Sequence, residues 1–275
     1  MSTKLRKAWA PILKRAAEIV EEYETAVTLR QVFYRLVAAG LIENSENDYK
    51  HLSRRSADLR RRDEFPALLD RTRTIERPST WSSPADALDT LARAYRRDLL
   101  ATQATFPVIV VEKATLVAQL RAWFDDLCVP VVPLRGYASE ALERDVIELV
   151  ENDERDVVLL YCGDFDPTGE DIPRAFEENT GLDLRRVALT DEQVDRYALP
   201  PAPGKASDSR AAGFEERHGR LVQVELEALD PDDLRRLIAD ELDDLVDLEL
   251  VELEAKRERT ERARLVALAE EALNG

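Results

Sequence analysis

Apolar residues recur at helical spacing through the first sixty residues and predict three helices. Over residues 3–22 they lie at i, i+3 and i+4 positions. A second helix follows Thr28, which can cap its N-terminus, and ends at Gly40, which suits the position after a helix. A third, over residues 49–62, carries apolar residues on one face and basic residues on the others. This outline is typical of a helix-turn-helix or winged-helix unit, although an ordinary helical subdomain with a basic surface fits it as well.

From Phe106 onward the pattern changes to short apolar runs. PVIVV, VPVVP, DVVLLY and RVAL are each bounded by charged residues or by Gly and Pro, and they predict strands. Helical stretches at 113–127, 139–151 and 168–178 alternate with these runs. Because continuous apolar strands that alternate with amphipathic helices belong to parallel sheets, we predict a parallel sheet covered by helices on both faces.

The remaining segments predict connections and a charged helical C-terminus. A Pro/Ser-rich linker at 78–85 precedes a helix at 86–101, and residues 198–212 form a loop before a short strand at LVQVE. Pro231 fits the first position of a long helical region. The predicted fold is therefore α/β, with four segments. These are a winged-helix-like helical domain at 1–80, a linker and helix at 81–105, the sheet domain at 106–200, and a loop, short strand and helical C-terminal region at 201–275.

Charge is distributed unevenly along the 275 residues, whose formal net charge is −17. Residues 1–77 carry a net charge of +4, so residues 78–275 carry −21. A basic head on an acidic body suggests that the head meets an anion, while the plainer interpretation is a solvated charged surface. Two Cys and two His argue against a disulfide scaffold and a Cys/His zinc finger. With no apolar run of about 18 residues and no secretory pattern, we expect a cytoplasmic protein without a membrane helix.

Three acids follow predicted strands and could form a metal site. Glu112 stands at the end of the first strand, and Asp164 and Asp166 follow the strand DVVLLY within YCGDFDPTGED. Ligands of open α/β sheets bind outside the carboxyl ends of the strands, where ionised carboxylates need a cation between them. Carboxylate ligands without His or Cys favour Mg²⁺. The alternative is that the two aspartates are turn and cap residues and that Glu112 is an ordinary strand end.

Tyr34 is a candidate nucleophile on the second helix. At 100° per residue it lies roughly 130° from the centre of that helix's apolar stripe, so we expect it to face away from its own core. Arg30 lies one turn earlier beside it. A phenol next to a guanidinium could attack a phosphodiester that the arginine helps to hold. A tyrosine that merely packs against another element would show the same pattern.

Several segments together resemble the Toprim domain of topoisomerase VI A subunits and of the related meiotic double-strand-break transesterase. They are VVEKATLVAQL, LRGYASEAL and LLYCGDFDPTGEDI, in that order, and upstream TLRQVFYRLV resembles the family's Arg-x-x-(Tyr/Phe)-Tyr helix. The resemblance covers about residues 27–200. The chain is shorter than those subunits and looks closer to compact bacterial and archaeal relatives.

The resemblance implies a winged-helix domain followed by a Toprim domain, and a role for each candidate residue. Tyr34 would be the nucleophile that forms a 5′-phosphotyrosyl bond, with Arg30 as its neighbour, and Glu112, Asp164 and Asp166 would hold Mg²⁺. The Tyr of one protomer would meet the metal of the other, so a homodimer would make staggered cuts. Strand passage would require a separate ATPase subunit, because the chain has no ATPase motif.

Double-stranded DNA is the expected partner of the basic third helix. Its phosphate contacts would come from six side chains. These are Lys50, Arg54, Arg55, Arg60, Arg61 and Arg62.

Two other functions stay open from the sequence. The first is a Toprim-type nuclease in which water rather than Tyr34 attacks the DNA. The second is a DNA-binding regulator that cuts nothing, because a fold constrains function only loosely.

Overall fold

Three helices form the N-terminal part of the protein. The computed structural model describes residues 8–23, 27–69, 78–204 and 207–274. Helices α1 (Trp9–Glu22), α2 (Leu29–Ala38) and α3 (Glu46–Arg60) pack together around a small core. That core includes Ile12, Ala16, Ile19, Val32, Leu36 and Leu52. The three predicted helices are thus confirmed, and the part of the first one before residue 8 lies outside the described residues.

Local capping explains where two of these helices begin. Thr28 forms a capping box with Gln31, and Gly40 has a left-handed backbone with φ of +67°, as the sequence predicts. Helix α3 begins earlier than predicted, because Ser45 Oγ accepts the backbone N–H of Asp48 at 3.2 Å. The described residues among the first 80 contain no strand. The winged-helix interpretation therefore stays a prediction.

A four-stranded parallel sheet forms the second part, as the alternating pattern predicts. Its strands are β1 (Thr105–Val111), β2 (Val131–Pro133), β3 (Asp156–Cys162) and β4 (Leu184–Ala188), in the spatial order β2-β1-β3-β4. The side chains from Val108 to Val111 are each at most 1% exposed. Because successive strand residues point to opposite faces, both faces of this central strand are covered.

Helices follow the strands and cover the sheet. They are α5 (Val117–Phe124), α6 (Glu140–Glu151), α7 (Pro167–Thr180) and α10 (Pro231–Leu245), with α8 (Asp191–Arg196) and α9 (Ala211–His218) in the connections. Pro231 occupies the first turn of α10, as predicted. Helices α8 and α9 were not predicted. The predicted loop 198–212 contains β5 (Ala202–Pro203), which pairs antiparallel with β6 (Val222–Gln223), and its residues 205 and 206 lie outside the described part.

The helix predicted at 86–101 is shorter in the structure. Helix α4 runs over Pro84–Ala94, and the C-terminal region divides into α10 and α11 (Leu248–Asn274). The chain after α4 leaves the helix to contact α11, where the Arg97 guanidinium pairs with the buried Glu254 carboxylate at 2.9 Å and with Glu261 at 2.9 Å. Gln103 binds both backbone groups of Asp247 at 2.8 Å, which stabilises the break between α10 and α11. Among the described residues, no helix has the length and apolar character needed to cross a membrane.

Candidate active site

Glu112 and Asp164 meet at the carboxyl edge of the sheet. Strands β1 and β3 are neighbours in register, with Val111 opposite Cys162, so the residues that follow them lie side by side. The backbone N–H of Glu112 donates to the carbonyl of Cys162 at 2.9 Å, and the backbone N–H of Asp164 donates to Glu112 Oε2 at 3.0 Å. The structure thus brings together the two acids that the strand pattern places at this edge.

Both carboxylate oxygens of Asp164 already have protein partners. Oδ1 accepts the backbone N–H of Leu226 at 2.8 Å, and Oδ2 pairs with the Lys113 ammonium at 2.6 Å. Lys113 Nζ also lies 2.6 Å from Glu225 Oε2. A single ammonium therefore joins two carboxylates in the place where the sequence analysis expected a metal ion.

Burial and charge shift the pKa values of this group strongly. Burial, followed by the charges of Glu112 and Glu225, raises the pKa of Asp164 well above its usual range. Burial alone would lower the pKa of Lys113, but the charges of Asp164 and Glu225 outweigh it and raise the pKa. Burial alone would raise the pKa of Glu225, but Lys113 outweighs it and lowers the pKa. Lys113 therefore stays protonated and serves as the counter-charge of the site.

Asp166 caps helix α7, which is one of the two roles that the sequence leaves open for it. Its Oδ1 accepts the backbone N–H groups of Thr168 at 2.9 Å and Gly169 at 2.7 Å. A Cβ on Gly169 would lie 2.2 Å from the carbonyl oxygen of Asp164, so the turn requires glycine there. Asp166 is nevertheless close enough that its charge, after the larger effect of burial, raises the pKa of Glu112.

The chemistry of these residues suits Mg²⁺, although their arrangement holds Lys113. In the described part of the chain, no group of three or more His, Cys, Asp or Glu side chains has the spacing of a metal site. The reason is local, because Asp164 is drawn to Lys113 and Leu226 while Asp166 caps α7. All three predicted acids are hard oxygen ligands at one sheet edge, which is the donor set that Mg²⁺ prefers. Asp164 can join such a set only by giving up Lys113.

Tyr34 is buried, which corrects the expectation that it faces away from the core. Its side chain is 7% exposed and its ring packs edge-on against Phe33 at 5.4 Å. The Tyr34 ring belongs to the core of the three N-terminal helices, together with Val32 and Leu36. The short 3₁₀ helix Leu226–Ala228 also packs against α2.

The Tyr34 phenol lies beside the acidic group of its own chain. Arg30 Nη2 donates to Tyr34 Oη at 3.3 Å, so the predicted one-turn pair is present. Tyr34 also interacts with the Glu225 carboxylate and lowers the pKa of Glu225. Burial first, and then the charge of Glu225, raises the pKa of Tyr34 despite the hydrogen bond from Arg30. The phenol is therefore protonated and held in place in this structure.

Lys113 and Glu225 are the site residues that sequence reasoning missed. Lys113 directly follows the candidate acid Glu112, and this position in the sequence was a signal that Lys113 lies at the site. Glu225 ends the predicted strand LVQVE, and an acid at a strand end was the same signal that singled out Glu112. Their contact joins positions 112 residues apart, and periodicity carries no information on such pairs.

Glu227 is a buried acid next to this group, and it yields a stability prediction. Its Oε1 accepts the Thr115 hydroxyl at 2.7 Å, whereas Oε2 is buried without a hydrogen-bond partner in the described part of the chain. Burial raises the pKa of Glu227. The variant Glu227→Gln keeps the acceptor and removes the charge, so we expect it to raise the free energy of unfolding at pH 8 by about 1–3 kcal/mol.

The pH dependence gives this prediction its sign. A carboxyl whose pKa is raised by folding contributes stability below its unfolded pKa and loses that stability as the pH rises through its folded pKa. The advantage of Glu227→Gln should therefore shrink towards zero between pH 8 and pH 4 in urea titrations. A constant difference across this range, or a less stable variant at pH 8, would contradict the prediction.

The basic side chains of α3 lie at the surface. Lys50, Arg54, Arg55, Arg61 and Arg62 are exposed, and Arg60 is half-buried. Lys50 pairs with Glu46 at 2.7 Å, Arg61 pairs with Asp58 at 2.8 Å, and the Arg55 guanidinium lies 5.4 Å from the centre of the Trp9 ring. Exposed pairs of this kind are weak and can be exchanged for other anions. The DNA-binding assignment of these residues stays a prediction.

Comparison with known proteins places the sheet and its acids within one family. The sequence from residue 88 to residue 240 matches the family described as "Protein of unknown function C-terminus (DUF2399)". None of the curated proteins matches the sequence. The family match spans strands β1–β4 and includes Glu112, Lys113, Asp164, Asp166 and Glu225. Since it covers more than half of the chain, the protein belongs to the DUF2399 family.

Proposed function

We propose that this protein cleaves DNA by transesterification, with Tyr34 as the nucleophile at an acidic site of the Toprim kind. The single observation that supports this most is the meeting of three elements in one chain. Helix α2 supplies the phenol, β1 supplies Glu112, and the turn after β3 supplies Asp164. A parallel sheet with acids at its carboxyl edge suits the proposed Toprim domain, and the three N-terminal helices suit the proposed winged-helix domain.

The proposed reaction exchanges one phosphoester bond for another. Tyr34 Oη attacks a backbone phosphorus of DNA and forms the Oη–P bond, while the bond from phosphorus to the 3′ oxygen breaks. The phenol loses its proton and the leaving 3′ oxygen gains one, so water is not consumed. The Arg30 guanidinium, which already contacts the phenol, is placed to hold a phosphate oxygen beside it.

Mg²⁺ would be held by Glu112 and Asp166. Asp164 would join them once Lys113 has moved away. When bound, the metal ion supplies charge stabilisation at the phosphate and at the leaving oxygen. Lys113 would then be released from Asp164 and would keep its ion pair with Glu225, 2.6 Å away.

DNA would approach along α3, whose exposed basic residues contact phosphates. Such contacts position the duplex and carry no sequence information. A homodimer would make the two staggered cuts, each with the Tyr34 and the acids of one chain, in place of the exchange between protomers that the resemblance implies. The acidic remainder of the chain repels DNA, so divalent cations would also aid binding.

One observation favours hydrolysis by water as a second candidate function. The Tyr34 side chain is only 7% exposed and its phenol is held by Arg30, so this conformation does not present the nucleophile. A water molecule at the acidic edge needs no such rearrangement. The two candidates differ in their product, because hydrolysis leaves free DNA ends and transesterification leaves protein on the 5′ end.

The test is to trap the cleavage complex on supercoiled plasmid. Purified protein is incubated with plasmid and Mg²⁺, denatured with detergent, and analysed with and without protease treatment. Nicked or linear DNA whose 5′ ends carry protein supports transesterification. Cut DNA with free ends supports hydrolysis, whereas intact plasmid under conditions of saturated binding overturns both and leaves the non-catalytic regulator.

A further inference from the structure

A small cavity beside Tyr34 is not used by the proposed cleavage reaction. It has a volume of about 250 Å³ and is open to solvent on one side. Its lining consists of Phe33, Tyr34 and Tyr49, the Arg30 guanidinium, and polar residues at the start of α3. It therefore shares Arg30 and Tyr34 with the acidic site described above.

Aromatic rings form much of the wall of this cavity. Phe33 lies edge-on to Tyr34, with 5.4 Å between ring centres, and edge-on to Tyr49, with 5.2 Å between ring centres. Phe33 is 4% exposed and belongs to the core, and Tyr49 is half-buried. Packing against Phe33 fixes the half-buried Tyr49 ring, whose exposed part offers a rigid surface on which a planar group can stack.

Polar groups at the mouth of the cavity complement the rings. Asn44 and Glu46 are exposed, and both line the cavity together with the half-buried Ser45. An amide and a carboxylate provide the donors and acceptors that read the edge of a base, and Arg30 provides charge for a neighbouring phosphate. Apolar walls with a few polar groups at fixed positions are typical of small-ligand sites.

We propose that this cavity binds one unpaired nucleobase of the DNA strand whose phosphate lies at Arg30 and Tyr34. The substrate class that follows is DNA with an unstacked nucleotide next to the scissile phosphate, either already unpaired or extruded on binding. Enzymes that extrude a base stack it between aromatic side chains and read its edge by hydrogen bonds. The cavity volume of about 250 Å³, just below the usual 300–1,000 Å³ of ligand pockets, suits a single base. The inference rests on the proposed function for the position of the phosphate.

The experiment uses the full chain and oligonucleotides that contain 2-aminopurine, whose fluorescence rises when it leaves the base stack. Binding is carried to saturation in EDTA, so that no cleavage takes place. Duplexes that carry the probe opposite a gap or mismatch, and the free 2-aminopurine deoxynucleotide, form separate arms. We expect the 2-aminopurine fluorescence to rise at least threefold when the probe occupies one position of the duplex. Probes several base pairs away from that position should show no rise.

Variants decide whether the cavity causes the signal. Asn44→Ala changes an exposed residue and should reduce the rise by at least half, and Tyr49→Leu should remove most of it. The control Glu21→Ala, at an exposed position on helix α1 outside the cavity lining, should leave the rise at saturation unchanged. Circular dichroism confirms that each variant is folded. If the rise is absent at saturation, or if Asn44→Ala and Tyr49→Leu leave it unchanged, the inference is overturned.

The outcome separates this inference from the proposed function. Protein–DNA adducts without a fluorescence rise overturn the base site and leave cleavage intact. If the cavity variants abolish the fluorescence rise and the unmodified protein forms no adducts, the base site is supported and the proposed cleavage by Tyr34 is overturned. The free nucleotide is unstacked in solution, so its binding in the cavity would quench its fluorescence; such quenching without a rise in any duplex arm overturns the proposed DNA-strand source and identifies the ligand as a free nucleotide.

Discussion

Replacing Tyr34 by phenylalanine is expected to abolish protein–DNA adducts completely while DNA binding persists. The substitution removes the one atom that would bond to phosphorus and keeps the ring that packs at 5.4 Å against Phe33. It also removes the hydrogen bond from Arg30, which costs about 1–3 kcal/mol of unfolding free energy because the donor is charged. The fold and the basic surface of α3 should therefore survive. The measurement is detergent-resistant adduct formation on supercoiled plasmid with Mg²⁺, alongside a filter-binding curve.

Tyr49→Phe is the matched control, since Tyr49 lies near the same cavity and loses only its hydroxyl. It should form adducts at the level of the unmodified protein. Adducts that persist in Tyr34→Phe would show that Tyr34 is not the nucleophile. Free-ended products that persist there, and that disappear with Asp164→Asn, would instead establish hydrolysis. Asparagine is chosen over alanine because it retains an acceptor for the Leu226 N–H.

The carboxyl edge of the sheet was predictable because strand periodicity and strand ends are local properties. PVIVV and DVVLLY are short, apolar and bounded, and adjacent parallel strands end at the same edge. Glu112 and Asp164 were therefore placed together from the sequence, and the structure joins them by a hydrogen bond of 3.0 Å. For Asp166 the structure shows the cap that the sequence left open as an alternative, because Pro167 starts a helix at once.

The covering of Tyr34 and the charge on Lys113 were not predictable in the same way. A helical wheel describes one helix, whereas Tyr34 lies in a core that three helices form together, and α2 also packs against a segment almost two hundred residues later in the chain. In the same way, Lys113 could be recognised as the counter-charge of Asp164 only once Glu225 and the Leu226 N–H had been placed around it. Burial and partner choice in such a group depend on tertiary packing, which periodicity does not contain.

Lys113→Met is expected to destabilise the metal-free protein by about 3–5 kcal/mol, because it leaves the buried Asp164 carboxylate and the half-buried Glu225 carboxylate without their shared cation. Lys113 lies 2.6 Å from both Asp164 and Glu225, and its side chain is 22% exposed. Methionine preserves much of the length and apolar surface of the lysine stem. The loss should therefore come from the charge rather than from a cavity. Urea unfolding in EDTA at pH 7.5 measures it.

Magnesium should restore part of this stability, and more in Lys113→Met than in the unmodified protein. A cation that binds only the folded state stabilises it according to its concentration relative to its dissociation constant, and removing a competing ammonium lowers that constant. Lys50→Met is the matched control, because the exposed pair of Lys50 with Glu46 contributes little stability and involves neither Asp164 nor Glu225. If Lys113→Met loses no more stability than this control, Lys113 is not the counter-charge of the site. If Mg²⁺ stabilises Lys113→Met and the unmodified protein equally, the Lys113 ammonium and the metal do not compete for Asp164. The other acids would then have to hold the metal without Asp164.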